Sequence, residues 1–199
     1  CFSALELLSD PKLLDRLPGG VTFSGGECLL QIDKAEDVLK TLRKEGIHMA
    51  VETCLFVSPI QLNIALKYID LFLVDLKILN GEKCSSILHG ELKSYLKNIN
   101  TLMDSGKPIV IRVPVIGGYT DGKENRKAIS EFLRKYRDKI IKVELIKGHD
   151  LGINKYRSLI DGGNNVSIPA YKGVTGELME LYKKEIIEST GLCTGICTI

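Results

Sequence analysis

Along the chain, short apolar and β-branched runs alternate with stretches whose apolar positions recur at helical spacing, and no long linker or low-complexity tract comes between them. Residues 20–24 (GVTFS) predict a first strand. A helix is expected to open at Asp33, with Glu36 completing an acidic capping pattern and Ala35, Val38, Leu39 and Leu42 as its apolar stripe; Gly46 ends it. Residues 48–53 (HMAVET) predict the second strand, and Ser58 with Pro59 read as N-cap and first position of a helix reaching Tyr68. Residues 70–77 (DLFLVDLK) are nearly continuous in apolar character before a polar end, as befits a parallel strand covered on both faces. Leu92, Tyr95, Leu96, Ile99 and Leu102 mark the next helix, and residues 108–116 a fourth strand. Asp121 with Glu124 caps a helix whose core face is Ile129, Phe132, Leu133 and Tyr136; residues 142–146 form the fifth strand. A Gly- and Asn-bearing loop over residues 148–169 leads to a last helix, residues 175–188, with Leu178, Leu181 and Tyr182 inward.

Such alternation demands a mostly parallel sheet, either doubly wound or curled into a barrel, and periodicity does not choose between them. Polar and glycine residues gather at the strands' C-terminal ends: Ser24, Gly25, Gly26 and Glu27; Glu52 and Thr53; Asp75 and Lys77; Gly117 and Gly118; His149 and Asp150. Ligands bind at that end in both architectures. Five strands contributing to one mouth suggest a barrel or partial barrel, because an open sheet concentrates its site at one switch point.

The 199 residues are one ordinary domain's worth, and with 44% hydrophobic and 26% charged residues the chain is neither disordered nor collagen-like. Lys and Arg number 27 against 25 Asp and Glu; the net charge of +2 is not concentrated in any patch that would hold nucleic acid or anionic lipid. The longest apolar stretch, residues 108–116, carries Arg112 and falls far short of a membrane span of roughly 20 residues. Six cysteines at positions 1, 28, 54, 84, 193 and 197 are too sparse for a disulfide scaffold, which favours a reducing cytoplasm. A start at Cys1, without Met or a signal-peptide pattern, reads as a piece of something longer.

Two glycines remove the Cβ atoms that would hold a ligand off the backbone at Ser24-Gly25-Gly26-Glu27, and a carboxylate sits beside them. An amino group suits that combination, donating to carbonyls and to Glu27; an ordinary tight turn also accounts for an isolated glycine pair. Asp75 and Lys77 flank Leu76, so both point to one face, where they would neutralise each other. Arg112 interrupts an apolar strand and needs a fixed acceptor, with Asp75 as one candidate. His149 follows the fifth strand, where a lone histidine is usually a surface loop residue.

The phrase GGVTFSGGECLLQ at residues 19–31 resembles the second-strand motif of glycyl-radical-enzyme activating proteins, pyruvate formate-lyase activating enzyme-like members of the radical S-adenosylmethionine (SAM) superfamily. VETCLFV from Val51, LFLVDLK from Leu71, IRVPVIGGYTD from Ile111 and KGHDLGINKY from Lys147 resemble its third- to sixth-strand segments, in order and over most of the chain. The resemblance implies a partial (β/α)6 TIM-like barrel lacking its first βα unit, since five strands are read here where the family has six. It implies residues 1–199 as one domain, the C-terminal part of that barrel, with residues 1–6 as the end of a ferredoxin-like insert whose last cysteine Cys1 resembles; a mere chain end is the competing account of Cys1. It further implies an activase that reductively cleaves SAM with a [4Fe-4S] cluster and uses the 5'-deoxyadenosyl radical to take a hydrogen from a glycine of a partner glycyl radical enzyme. A flavodoxin or ferredoxin-type protein would supply the electrons. The family's CxxxCxxC cluster loop has no match, and Cys193 and Cys197, with CxxxC spacing after the last helix, do not replace it.

Carried over residue by residue, the GGE stretch (Gly25, Gly26, Glu27, with Ser24 before it) receives the amino group of SAM, Lys77 meets its carboxylate, Glu52, Thr53 and Arg112 line the pocket with Asp75, and His149 lies against the nucleoside, with Pro114 and Ile146 as apolar faces for adenine. Three departures stand out: Cys28 where proline is usual, Ser85 where histidine is common, and Gly117 in IGG rather than IPG. The carboxylate of SAM beside Glu52 and Asp75 would bring three negative charges together with only Lys77 to offset them. A monovalent cation held by Glu52, Asp75 and Thr53 is therefore expected, the alternative being a protonated carboxylate or one paired with Arg112. The competing functional reading is a non-redox barrel module that binds a nucleoside or the partner's glycine loop.

Overall fold

The computed structural model describes residues 20–148, 161 and 172–197. The described elements run β1 (Val21–Phe23), α1 (Glu36–Lys44), β2 (Met49–Thr53), α2 (Pro59–Tyr68), β3 (Leu71–Asp75), α3 (Gly81–Leu88), α4 (Leu92–Asp104), β4 (Ile109–Val115), α5 (Lys123–Lys135), β5 (Lys142–Lys147), α6 (Gly176–Thr190) and β6 (Thr194–Cys197). The strands are sheet neighbours in chain order, and β1–β2, β2–β3 and β5–β6 run parallel. This is the α/β alternation expected from the sequence, with six described strands rather than five. The extra one, β6, is four residues long and contains Gly195; its propensity is poor, and its register comes from β5, with Val143 opposite Thr194. Among the described residues no helix is long and apolar enough to cross a membrane.

The chain gathers into two compact units: Cys1–Asp75 with Gly90–Val110, and Leu76–His89 with Ile111–Ile199. In the first, Leu39 and Leu42 of α1, Leu62 and Ala65 of α2, and Ile99 and Leu102 of α4 are buried, as are Val51 and Phe72 on the strands. Helix α2 starts as its local chemistry dictates. Gln61 N donates to Ser58 Oγ (3.3 Å), Ser58 N donates to Gln61 Oε1 (2.9 Å), and Pro59 takes the first position, where no amide proton is needed. Helix α1 departs from expectation, opening at Glu36 behind Ala35 with no side-chain cap. A 3-10 turn over Cys28–Gln31 takes up the preceding residues, and the Ala35 amide bonds back to Gln31 and Ile32, so Asp33 is left without a helix end to cap.

Asp70 locks the start of β3 to β2 and α1. Its carboxylate accepts from Met49 N (2.9 Å) and from Arg43 Nη1 (2.8 Å), while the other arm of the guanidinium donates to the Tyr68 carbonyl. Burial works to raise this carboxyl, but the Met49 amide and the Arg43 charge outweigh it and hold it below the usual carboxylate range. A depressed native value means the contribution is full above the unfolded-state value near 4 and is lost as pH falls through the native one. Asp70→Asn should therefore cost about 1 kcal/mol at pH 7, a deficit that closes as the pH falls below about 4, as urea unfolding at both pH values would register. A constant deficit across that range would contradict the assignment.

In the second unit, α3 had no sequence prediction, because Cys84, Ile87 and Leu88 are its few apolar residues; its N-cap Asn80 accepts from Lys83 N at 2.9 Å. Helix α5 begins after Gly122 without a side-chain cap, since the Asp121 carboxylate accepts from Gly118 N (2.8 Å) instead. Of its expected core face, Ile129 and Leu133 are buried, whereas Phe132 and Tyr136 are only partly so and pack on each other at 4.9 Å. On α6 the inward stripe is Met179, Tyr182, Ile186 and Thr190. Leu181, expected inward, is 47% exposed because it lies one position off that stripe. The helix is bound to α5 by Arg126, which is 8% exposed and grips Glu185 through Nε (3.0 Å) and Nη2 (3.3 Å).

Candidate functional site

At the C-terminal ends of β1 and β2, within the first unit, most of the expected residues come together. Ser24 Oγ donates to Glu52 Oε2 at 2.9 Å, tying the two strand ends together. Ser24, Gly25 and Gly26 are exposed. Gly25 has φ +141°, a conformation closed to L side chains, so glycine is required there by the backbone. Gly26 has no such φ, and a Cβ built on either glycine meets no protein atom within 4 Å. Among the described residues nothing requires Gly26 to lack a side chain.

Glu27 is held by neighbouring donors. Its carboxylate turns toward β2 and accepts from Leu29 N (3.1 Å), Thr53 Oγ1 (2.9 Å), Cys54 N (2.7 Å) and Cys54 Sγ (3.0 Å). Thr53, only 4% exposed, also accepts from Leu55 N (3.0 Å). Leu55 is buried at φ +57°, and Asn98 of α4, 3% exposed, holds the turn by donating to the carbonyls of Leu55 (3.0 Å) and Val57 (2.8 Å). The Thr53 hydroxyl thus donates one hydrogen bond and accepts one within the protein. Among the described residues no group of three or more His, Cys, Asp or Glu side chains converges as a metal site.

Cys28, standing where proline is usual, opens the 3-10 turn and donates its thiol to the carbonyls of Phe23 (3.6 Å) and Glu52 (3.4 Å). Burial, with the charge of Glu27 second, pushes this thiol up to about 11, so it is neutral and unreactive at physiological pH. Asp75 ends β3, and its carbonyl accepts from Tyr95 Oη at 3.2 Å.

Lys77 and Arg112 belong to the second unit. There the Leu76 amide donates to the Arg112 carbonyl (2.8 Å), and Asn125 pins the backbone after β3 by donating to the Lys77 carbonyl (2.8 Å) and accepting from Leu79 N (3.0 Å). The Gly117 departure has a packing cause: a Cβ there would come within 2.3 Å of the Lys172 carbonyl oxygen. Ser85 is exposed on α3. His149 and Cys1 lie outside the described residues. Sequence reasoning passed over Cys54, Asn98 and Asn125. Asn98 had left a signal, a polar residue on the stripe formed by Tyr95, Ile99 and Leu102.

Residues 11–133 match the family model of the Radical SAM superfamily. The chain is 33% identical over 183 residues to the pyruvate formate-lyase-activating enzyme of Clostridium pasteurianum, covering 92% of this chain and 76% of that one. It is 33% identical over 158 residues to the choline trimethylamine-lyase activating enzyme of Oleidesulfovibrio alaskensis, covering 78% of this chain and 51% of that one. The benzylsuccinate synthase activating enzyme of Thauera aromatica is 34% identical over 162 residues, 80% of this chain and 48% of its own. The chain thus spans about half the length of the last two relatives. Among solved structures, a domain of the pyruvate-formate lyase-activating enzyme from Bacteroides vulgatus superposes with a TM-score of 0.72 at 26% identity, over 90% of this chain and 99% of that one. A radical SAM methyltransferase from Sphaerobacter thermophilus, 14% identical with a TM-score of 0.70 over 98% of this chain and 57% of that one, shares the fold. The glycine pair at the end of β1 and the motifs that follow it accordingly sit in a chain that belongs to the radical SAM superfamily, among its glycyl-radical-enzyme activating enzymes.

Proposed function

We propose that the chain is the SAM-binding part of an activase that takes a hydrogen atom from a glycine of a partner glycyl radical enzyme. The observation that carries this reading is Gly26, exposed at the end of β1, where among the described residues no atom lies within 4 Å of a built Cβ and no positive φ explains the missing side chain. The backbone of Gly25 and Gly26 receives the amino group of SAM, with Ser24, Glu27, Glu52 and Thr53 shaping that end of the site. Lys77 meets the carboxylate of SAM, Asp75 and Arg112 contribute to the pocket, and His149 takes the nucleoside, as the matching motif positions imply. SAM and a [4Fe-4S] cluster supply, when bound, the one-electron cleavage that generates a 5'-deoxyadenosyl radical. The chain's own residues hold the amino acid end of SAM still against that event. A flavodoxin or ferredoxin-type protein in the cytoplasm delivers the electron.

The test uses the complete protein, reconstituted anaerobically with iron and sulfide. On reduction with dithionite it should convert SAM to 5'-deoxyadenosine and methionine, and with its partner present a glycine-centred radical should appear by electron paramagnetic resonance. Tight SAM binding without any 5'-deoxyadenosine would favour a binding module over an activase.

A further inference from the structure

Within the second unit, helices α5 and α6 leave a groove of about 420 Å³ between them, lined by Lys123, Lys127 and Ser130 on one side and by Glu185, Glu188 and Ser189 on the other. That volume is in the range that takes small molecules. Each set of residues is spaced to share one face of its helix, so two regular elements build the groove. Its charges do not cancel. Glu185 is held by the Arg126 guanidinium, and Glu188 lies 3.7 Å from Lys184. Lys123 and Lys127 are exposed and make no ion pair among the described residues, which leaves two positive charges over. Ser130 is 9% exposed, and its Oγ is buried with no hydrogen-bond partner. Other helix hydroxyls of this chain find one on their own backbone: Thr101 and Thr190 donate to the carbonyl four residues back, and Ser189, across the groove, donates to the Ile186 carbonyl at 3.2 Å. A buried hydroxyl without a partner costs stability, and among the described residues nothing offsets that cost at Ser130.

We infer that the α5–α6 groove is a binding site for a small phosphate monoester, with the ammonium groups of Lys123 and Lys127 donating to its phosphoryl oxygens and the Ser130 hydroxyl turning to it by rotation about one bond. A phosphate monoester is close to dianionic at neutral pH, which matches the two uncompensated lysines, whereas a single carboxylate would neutralise only one of them. The acids on the α6 side do not repel it, because each already carries its own cation. The groove is larger than a bare phosphate needs, so the organic part of the ester lies along the seam between the helices. All six lining residues belong to the second unit, and the inference stands independently of SAM binding.

The experiment titrates the complete reconstituted protein, at low ionic strength and with SAM in excess, with glycerol 3-phosphate, inorganic phosphate and glycerol, and reads binding by calorimetry. Glycerol 3-phosphate should saturate with a Kd of about 1 mM or tighter, inorganic phosphate more weakly, and glycerol should give no binding. Loss of a charge-assisted hydrogen bond predicts that Lys123→Gln and Lys127→Gln each weaken glycerol 3-phosphate by about tenfold or more, and loss of the hydroxyl that Ser130→Ala weakens it by about threefold or more. Ser130→Ala also carries a readout that a structural hydroxyl would move the other way. Removing an unpartnered buried hydroxyl should leave the thermal unfolding temperature of the ligand-free protein unchanged or higher. Lys135→Gln serves as the control, an exposed lysine of α5 outside the groove that lies over the Tyr136 ring, and should bind within about twofold of wild type. No saturable binding of glycerol 3-phosphate by wild type up to about 10 mM would overturn the inference. So would an equal loss in Lys135→Gln and the groove lysines, which would reduce the effect to net charge. A Ser130→Ala protein that unfolds at lower temperature and binds like wild type would overturn it as well, since the hydroxyl would then serve the fold.

Discussion

Gly26→Ala is expected to leave the fold untouched and to weaken SAM binding by the complete protein at least about tenfold, a loss of about 1.4 kcal/mol. Among the described residues a methyl group at this position meets no atom within 4 Å, and Gly26 has no positive φ that would strain a side chain, so the apoprotein is expected to lose little. The cost arises only when a ligand must come as close as glycine permits. Gly25→Ala makes the contrast, because φ +141° adds a folding penalty of about 1–3 kcal/mol to any loss of binding. Thermal unfolding of the two variants followed by calorimetric titration with SAM separates the two costs. Undiminished affinity in Gly26→Ala would remove the observation on which the proposed function stands.

The largest stability loss is expected at Arg126. Its side chain is 10% exposed and makes a bidentate pair with Glu185, donates through Nη1 to the Asp121 carbonyl at 2.7 Å, and lies 5.8 Å from the ring centre of the buried Tyr182. Arg126→Met keeps much of the volume but strands the Glu185 carboxylate. Breaking a buried pair costs 3–5 kcal/mol, and because Glu185 retains 35% of its exposure the lower end applies, about 3 kcal/mol. Glu185→Gln, which keeps an acceptor for one arm of the guanidinium, should cost less, about 1–2 kcal/mol. Equilibrium urea unfolding of both variants would show the order. Arg126→Met within about 0.5 kcal/mol of wild type would mean that the pair is offset by its own desolvation.

Where chemistry is local, the residues told their structure directly. Ser58 and Pro59 are adjacent, and the N-cap and first helical position they predict are the ones that form, with Gln61 completing a capping box. The same logic misplaced the starts of α1 and α5, because Asp33 and Asp121 carry the right side chains but neighbouring turns had already claimed the backbone around them. Leu181 and Met179 are both apolar on the same helix, and which of them goes inward depends on the phase set by Tyr182 and Ile186 against their neighbours. Strand β6 was invisible because four residues around a glycine have little strand propensity until β5 lies beside them.

At the site the division is the same. The order of strands and helices, the glycine pair at a strand end and the family motifs around it are written in consecutive residues, because hydrophobic periodicity, turn chemistry and motif spacing act over a few positions of chain. The hydrogen-bond partners of Glu27 were decided only by folding. Its donors Thr53 and Cys54 lie 26 and 27 residues away, and Asn98, which steadies their turn, comes from a different helix. A carboxylate beside two glycines looks in sequence like a ligand for an amine. Only the parallel pairing of β1 with β2 brings in the donors that fill its lone pairs, since hydrogen bonds depend on distances of about 3 Å that no spacing along the chain encodes.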